Sequence, residues 1–268
     1  MDEVVSAASY ASTVGSMTFR KTDHRRNAID YEVAGLAWLA AAEPAGAAIV
    51  KVLDHGKGWL TEPELSTVRP TREAAEEFGR RLAHTHATGA SHLGAAPDGF
   101  APDGGYIGRA PLPLPSEPIS SWGEFYAQYR IEPYMDSLDA DARAIMSRLV
   151  DRLASGDLDH DQPALVTDAA ARTHGDMWTG NLMWTADGVV LIDPAAQGGH
   201  AEEDLAALSV FGTPFTERIR EAYNEESLLA DGWQDRIGLH QLHMLIVHCW
   251  LFGGGYVDQT LAIARRWV

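Results

Sequence analysis

The sequence predicts an α+β protein with two lobes, a small strand-rich N-lobe over residues 1–64 and a larger, mainly helical C-lobe over residues 65–268. Short apolar runs alternate with a helical pattern early in the chain, whereas the C-terminal part has mostly helical periodicity. The 268 residues, of which 46% are hydrophobic and 22% charged, resemble an average globular protein and allow a substantial core. This composition excludes disordered and fibrous proteins.

The predicted N-lobe contains one small sheet and one helix. Three apolar or β-branched runs separated by turn residues predict its strands, at residues 17–21, 49–53 and 59–62. An apolar face predicts a helix over residues 30–42, which ends at Glu43 and Pro44. The order is therefore strand, helix, strand, strand.

Helical periodicity dominates the predicted C-lobe. It predicts a helix that begins after Pro70-Thr71 and further helices over residues 121–130, 139–154, 202–211, 214–224 and 233–252. Ser121 and Glu124 fit a capping box at the start of the second of these. Residues 91–120 are rich in Gly, Pro, Ala and Asp and lack periodicity, so we expect a long loop that borders a substrate site or is mobile.

The charge balance restricts the partners of the protein. Lys and Arg number 21 against 38 Asp and Glu, which gives a formal net charge of −17. A field of this sign repels nucleic-acid phosphates and anionic lipid surfaces. We therefore expect no nucleic-acid and no membrane partner.

Cysteine and histidine usage argues against a structural metal site. Cys249 is the single cysteine, which excludes an internal disulfide and a multi-cysteine zinc site. The pairs His84/His86 and His240/His243 have no third ligand at compatible spacing, so a zinc site is not predicted. The cysteine count and the absence of a visible export signal predict a cytoplasmic protein.

A β-hairpin carries the residue types of a metal–nucleotide site. Two apolar runs flank an Asp-Gly turn at residues 187–188, which predicts a hairpin with Asn181 before its first strand and Asp193 after its second. Asp176 lies five residues before Asn181. In kinases, a loop aspartate accepts the proton of the attacking hydroxyl, and an asparagine and a second aspartate hold Mg²⁺. The spacing predicts Asp176 as the catalytic residue and Asn181 and Asp193 as Mg²⁺ ligands in an ATP site.

The same template requires a lysine on an early strand, paired with a glutamate on the next helix. Lys21 ends the first predicted strand, and Glu32 lies in the first turn of the predicted helix, where the helix dipole favours a carboxylate. We therefore predict that Lys21 and Glu32 form an ion pair that contacts ATP. The alternative is a solvated charge pair on a small lobe.

At these residues the chain resembles the fructosamine kinase (ketosamine-3-kinase) family, a branch of the aminoglycoside-phosphotransferase and protein-kinase-like fold. The resemblance covers about residues 17–268. It rests on His174-Gly-Asp-Met-Trp-Thr-Gly-Asn181, Asp193-Pro-Ala195, Gly199-His-Ala-Glu-Glu-Asp-Leu-Ala206 and Phe211-Gly212, and on residues 122–133 and 239–256. Trp178 favours this family over aminoglycoside and choline kinases.

The resemblance implies a bilobal protein-kinase-like fold and an ATP- and Mg²⁺-dependent kinase. Its substrate would be a ketosamine, either a small molecule or protein-bound, phosphorylated on the sugar 3-hydroxyl in a deglycation reaction. The resemblance also places Glu62 at the hinge between the two lobes, where backbone groups would form hydrogen bonds with adenine. The side chain of Glu62 is equally consistent with a surface charge. We expect His174 and Asp204 to support the catalytic loop. The candidate substrate residues are Trp178, Gln241 and His248, for each of which core packing is the alternative.

Two other functions stay open. Family members usually carry a glycine-rich turn ahead of the lysine, whereas residues 4–16 contain only Gly15. This difference is consistent with a catalytically silent nucleotide-binding module. The acidic balance also suits other cationic acceptors, so the same fold acting on an aminoglycoside- or choline-like compound is the second alternative.

Overall fold

The computed structural model describes residues 17–100 and 104–268 and has the predicted α+β architecture. The helices are α1 (Ala28–Ala40), α2 (Arg72–Ala87), α3 (Trp122–Phe125), α4 (Ala140–Ala154), α5 (Ala201–Ala207), α6 (Thr216–Glu226), α7 (Trp233–Phe252) and α8 (Val257–Ala264). The strands are β1 (Thr18–Thr22), β2 (Ala48–Ile49), β3 (Asp54–Gly56), β4 (Trp59–Pro63), β5 (Gly105–Ile107), β6 (Ala110–Leu112), β7 (Ala171–Thr173), β8 (Leu182–Thr185), β9 (Gly188–Leu191) and β10 (Gln197–Gly199). The glycine-poor segment 4–16 lies outside the described residues.

The N-lobe sheet differs from the prediction in one strand. Its order is β1-β4-β3, all antiparallel, with Lys21 opposite Leu60. Residues 49–53 were predicted to form a strand of this sheet, but of these only Ile49 lies in a strand, and that strand, β2, pairs in parallel with β9, with Ile49 opposite Leu191. The prediction was wrong because strand partners are chosen by contacts between distant segments. This pairing holds the predicted metal-binding hairpin against the N-lobe, and a domain boundary at residues 64–65 stays a prediction.

The helical part is built around α7, which has its predicted bounds and is buried over residues 239–247. Thr71 is the N-cap of helix α2, and its Oγ1 accepts a hydrogen bond from the Ala74 amide at 3.2 Å. Such a cap pairs an amide that has no partner within the helix. Among the described residues, no helix is both long enough and apolar enough to cross a membrane.

Three elements of the C-lobe depart from the prediction. The segment expected to be a loop contains the short hairpin β5–β6, in which Ile107 lies opposite Ala110. The helix expected to reach residue 130 is α-helical only in α3 and continues as a π-helix, Tyr126–Ile131, and a 3₁₀-helix, Glu132–Ser137. Helix α8 follows the glycines that end α7 and was not predicted. Strands of three residues are too short for periodicity to detect.

Candidate active site

The predicted hairpin is confirmed as β8 and β9, with Leu182 opposite Leu191 and Thr185 opposite Gly188. Gly188 has a φ of 117°, which favours glycine at this turn. The amide of Ile192 donates to the carbonyl oxygen of Asn181 at 3.2 Å. The antiparallel pairing therefore brings Asn181 and Asp193 to the same end of the hairpin.

Asn181 orients the carboxylate of Asp176. Its Nδ2 donates to the Asp176 carbonyl oxygen at 2.8 Å and to Asp176 Oδ2 at 3.1 Å. Both bonds use the amide nitrogen, so Oδ1 of Asn181 remains available as a metal ligand. One side chain thereby positions the predicted base and offers an oxygen ligand beside it.

Asp204 holds the predicted catalytic loop through hydrogen bonds to its backbone. Its Oδ2 accepts from the His174 amide at 2.7 Å, and its Oδ1 accepts from the Gly175 amide at 2.9 Å. Burial opposes ionisation of Asp204, but hydrogen bonding from His86 and the nearby His174 keep its pKa below the usual value. His86, whose Nε2 lies 3.2 Å from Asp204 Oδ2, is a supporting residue that sequence reasoning missed.

Both ring nitrogens of His174 form hydrogen bonds. Nε2 lies 2.9 Å from the carbonyl oxygen of Ile192, and Nδ1 accepts from the Asp176 amide at 3.3 Å. Burial lowers the pKa of His174, which favours the neutral ring. The contacts join the catalytic loop to the hairpin and favour a supporting role over proton transfer.

Lys21 connects the N-lobe to the hairpin. Its Nζ lies 2.8 Å from Glu32 Oε2, which is the predicted ion pair, and 3.1 Å from Asp193 Oδ1. Burial alone would lower the pKa of Lys21, but the two carboxylates raise it above its ordinary value. The lysine is therefore charged at neutral pH. Asp193 has a φ of 52°, a left-handed conformation that aspartate and asparagine tolerate better than most residues.

One cavity of about 320 Å³ is lined by Lys21, Glu32, Asp176, Asn181 and Asp193, whereas His174 and Asp204 lie outside its lining. Its charged and amide side chains are Lys21, Asp23, Arg25, Glu32, Asp176, Asn181 and Asp193. A second cavity, of about 450 Å³, also contacts Asp193, and its apolar walls come from Phe19, Val50, Leu65, Met183 and Ile192. The site is thus a charged chamber beside an apolar slot.

Glu62 lies on β4 and lines the apolar slot. Its side chain is not a surface charge, since the residue is only 5% exposed. Burial, with the negative charges of Glu32 and Asp193, raises its pKa to about 7. Oε1 of Glu62 has no hydrogen-bond partner within the described residues.

The raised pKa of Glu62 predicts a pH-dependent stability. The folded state favours the protonated carboxyl, so this contribution is full below the unfolded-state pKa of about 4.5 and is lost as the pH rises through about 7. We expect Glu62→Gln to stabilise the protein by up to about 3 kcal/mol at pH 8 and to have little effect at pH 5. Urea unfolding at both pH values measures this difference, with the exposed Glu64→Gln as control. An equal effect at both pH values would contradict the assignment.

Of the predicted substrate residues, only Trp178 lines the charged chamber. Its ring lies 5.8 Å from that of Phe211, and His248 lies behind Phe211 with its ring 4.7 Å away. Gln241 is buried and donates from Nε2 to the Ala206 carbonyl oxygen at 3.1 Å and to Ser209 Oγ at 2.8 Å. Substrate roles for Gln241 and His248 stay predictions, and the contacts of Gln241 favour packing.

Sequence reasoning missed several residues of the chamber. Arg25 lies over the ring of Tyr106 at 4.4 Å and pairs with Asp23. Tyr106 comes from the β5–β6 hairpin inside the expected loop, so this segment forms part of the chamber wall, while its role at a substrate site stays a prediction. Tyr31 donates from its hydroxyl to the Ala196 carbonyl oxygen at 2.8 Å. No motif or periodicity in the sequence marked these residues.

Known proteins resemble this chain in sequence and in fold. The family model for fructosamine kinase matches residues 4–268. Over 163 residues the chain is 35% identical to the ketosamine-3-kinase of Mus musculus, a match that covers 58% of this chain and half of the mouse protein. The crystal structure of a "putative fructosamine-3-kinase" from Thermobifida fusca superposes with a TM-score of 0.82 at 38% identity, over 94% of this chain and 85% of that one.

A more distant structure shows the wider fold. The streptomycin–ATP–APH(2")-IIa ternary complex superposes with a TM-score of 0.57 at 10% identity, over 93% of this chain and 84% of that one. At this identity the likeness concerns the fold alone, and it confirms the predicted bilobal protein-kinase-like class. The family model spans nearly the whole sequence, and so the chain belongs to the fructosamine kinase family.

Proposed function

We propose that the protein transfers the γ-phosphoryl group of ATP to the 3-hydroxyl of the sugar in a ketosamine such as a fructosamine or ribulosamine. One observation carries the proposal: Lys21, Asp176, Asn181 and Asp193, from distant parts of the sequence, line a single chamber. This is the set of groups that phosphoryl transfer requires. Family membership supports a ketosamine as the acceptor and deglycation as the outcome.

The two cavities suit the two ends of ATP. The apolar slot offers hydrophobic walls for adenine, and Glu62 on β4 also lines it. The charged chamber offers Lys21, whose ammonium Glu32 fixes, for the α- and β-phosphates. Arg25 adds a second cation, and its Nη1 is buried without a hydrogen-bond partner in the described part of the chain. An unpaired guanidinium nitrogen fits a phosphate oxygen.

The donor set of the chamber fits Mg²⁺. Asn181 Oδ1 and the Asp193 carboxylate are hard oxygen ligands, and Mg²⁺ combines one or two such protein ligands with phosphate oxygens. Bound Mg²⁺ would neutralise charge on the β- and γ-phosphates. Asp193 is 42% exposed in its side chain, so it is accessible to a metal–nucleotide complex.

Asp176 is the proposed proton acceptor. Burial raises its pKa to about 7, and the charges of Asp193 and Asp204 add to this effect while the hydrogen bond from Asn181 opposes it. A carboxylate with this pKa is a stronger base than an ordinary aspartate at neutral pH. It would accept the proton of the sugar 3-hydroxyl as that oxygen attacks the γ-phosphorus, and ADP would leave.

The proposal is tested by incubating the full chain with ATP, Mg²⁺ and a panel of acceptors. The panel contains a fructosamine, a ribulosamine, an aminoglycoside and choline. We expect a mass increase of one phosphate on a ketosamine alone, because Trp178 and the family motifs favour that acceptor. Mass spectrometry of the products measures it.

Three other results of these assays would change the proposed function. Phosphorylation of the aminoglycoside or choline alone would replace the ketosamine with another acceptor. Calorimetry that detects Mg²⁺-dependent ATP binding without transfer to any acceptor would support a silent nucleotide-binding module. Absence of ATP binding would contradict the assignment of the chamber.

A further inference from the structure

A second group of ionisable side chains lies outside the ATP chamber. His160 is in the connection between α4 and β7, His200 is the N-cap of α5, Glu202 is in the first turn of α5, and His240 is in the middle of α7. Each offers one ligand atom, and these atoms all lie within 4.8 Å of one another. His200, Glu202 and His240 are buried and His160 is nearly so. Three segments far apart in sequence therefore meet at one point.

We propose that His160, His200, Glu202 and His240 form a binding site for a transition metal of the Zn²⁺ class. Nε2 of His160 lies 2.9 Å from Nε2 of His240, and Oε2 of Glu202 lies 3.3 Å from the latter and 3.8 Å from the former. Ligand atoms of tetrahedral zinc, at bond lengths of about 2.0–2.1 Å, lie about 3.3 Å apart. Three of the four ligands are thus already close to one face of a zinc tetrahedron.

The hydrogen bonds around the histidines favour metal binding. Nδ1 of His160 lies 2.8 Å from the carbonyl oxygen of Leu158, so Nδ1 carries the proton and Nε2 presents its lone pair to the cluster. Nδ1 of His240 has no partner within the described residues, so the polar contacts of that ring are with the cluster, and a metal on Nε2 would displace the ring proton from Nε2 to Nδ1. A backbone carbonyl behind a ligating imidazole is a common support in zinc sites.

The protonation states also suit a metal. Burial and the neighbouring His240 lower the pKa of His160 to about 4, and burial lowers the pKa of His200 as well. Burial opposes ionisation of Glu202, but hydrogen bonds from His240 and Arg236 keep its pKa below the usual range. Metal ligands must be neutral imidazoles and ionised carboxylates, so these three residues need not lose a proton at neutral pH.

A metal bound at this site must be compatible with the hydrogen bonds that Glu202 and His200 already form. Arg236 donates to both oxygens of Glu202, at 2.7 Å and 3.0 Å, which fixes the carboxylate and balances part of its charge. His200 has Nε2 3.1 Å from the Asp161 carbonyl oxygen, and its Nδ1 accepts from the Glu202 amide at 3.2 Å. His200 therefore exchanges one of these bonds for the metal, whereas His160 and His240 keep their present orientation.

The position of the site suggests a structural role. A metal there would link the α4–β7 connection, α5 and α7. Asp204, two residues after Glu202 on α5, holds the amides of the catalytic loop. We therefore expect the metal to stabilise the fold and the helix that carries Asp204, without contact with the reacting groups.

The test uses the full chain without an affinity tag, after removal of metals by a chelator. We expect calorimetry to show one equivalent of tightly bound Zn²⁺, the melting temperature to rise on its addition, and Co²⁺ to give the visible bands of a four-coordinate ion. His160→Gln and His240→Gln are each expected to weaken Zn²⁺ binding about 100-fold or more, since each removes a ligand.

Two control variants separate this site from other histidines and from the kinase site. His84→Gln removes an exposed histidine that pairs with Glu226, and Asp193→Asn alters the proposed Mg²⁺ ligand. Both are expected to keep the tight Zn²⁺ equivalent. Wild-type protein without a tight equivalent would overturn the proposal even if a cluster variant fails to fold. Binding that survives both cluster substitutions would overturn it as well.

Discussion

Asp176→Asn is expected to lower kcat about a thousandfold, within the range that removal of a general base produces. The substitution removes the proton acceptor but keeps the size of the side chain and an oxygen that can accept from Asn181. Because Asp176 does not contact the apolar slot, the KM for ATP should change little. Steady-state kinetics with a ketosamine measures both constants.

The pH profile gives an independent test of the same residue. The pKa of Asp176 is raised to about 7, and only the ionised form can accept a proton, so kcat/KM of the wild type should rise as the pH increases through about 7. This rise should be absent in Asp176→Asn. Since Glu62 has a similar pKa, Glu62→Gln should retain the rise if Asp176 causes it.

The matched control for Asp176 is Asp187→Asn, in the exposed turn of the same hairpin. It changes the net charge of the protein by the same amount but lies at the opposite end of the hairpin from the chamber. We expect wild-type kinetics from it. Equal losses in the two variants, or wild-type turnover by Asp176→Asn, would refute the proposed base.

Asp193→Asn is expected to lower kcat at least about a thousandfold and to raise the Mg²⁺ concentration needed for half-maximal activity. The substitution removes the charged ligand and the partner of Lys21 at 3.1 Å. Asparagine tolerates the φ of 52° at this position, so the backbone should be retained. Kinetics at a series of Mg²⁺ concentrations measures the effect.

Stability separates a chemical from a structural effect of Asp193→Asn. The Asp193 side chain is 42% exposed, and Lys21 keeps Glu32 as a partner, so thermal unfolding should stay close to that of the wild type. A large loss of stability would indicate a structural role. Unchanged Mg²⁺ dependence together with unchanged kcat would contradict the assignment as a metal ligand.

Local patterns predicted the hairpin and most of the helices. The Asp-Gly turn between apolar runs located β8 and β9 to within a residue, and the predicted starts of α2 and α4 agree with the N-caps that the structure places at Thr71 and Asp139. These features depend on hydrogen bonds between near neighbours in the chain, so the residues that decide them lie within one short window.

Features that depend on distant partners were missed. The parallel pairing of β2 with β9 does not follow from the few residues of either strand. The β5–β6 hairpin is local, and it was missed because its strands are too short for periodicity to detect. The histidine cluster escaped for the same reason as the β2–β9 pairing, since His160 and His240 are 80 residues apart and only His200 and Glu202 are near neighbours. Ligand spacing along the chain detects metal sites only when the ligands are close in sequence.

The sequence by itself determined the order Lys21, Glu32, Asp176, Asn181, Asp193, the hairpin that joins the last two, and the resemblance to a kinase family. Only the tertiary structure decided that Lys21 reaches Asp193, that Glu62 is buried beside them, and that Arg25 and Tyr106 complete the chamber. The physical reason is that backbone hydrogen bonding between neighbours leaves a regular pattern in the residues. The approach of distant segments is set by the packing of the whole core, and no short run of sequence records it.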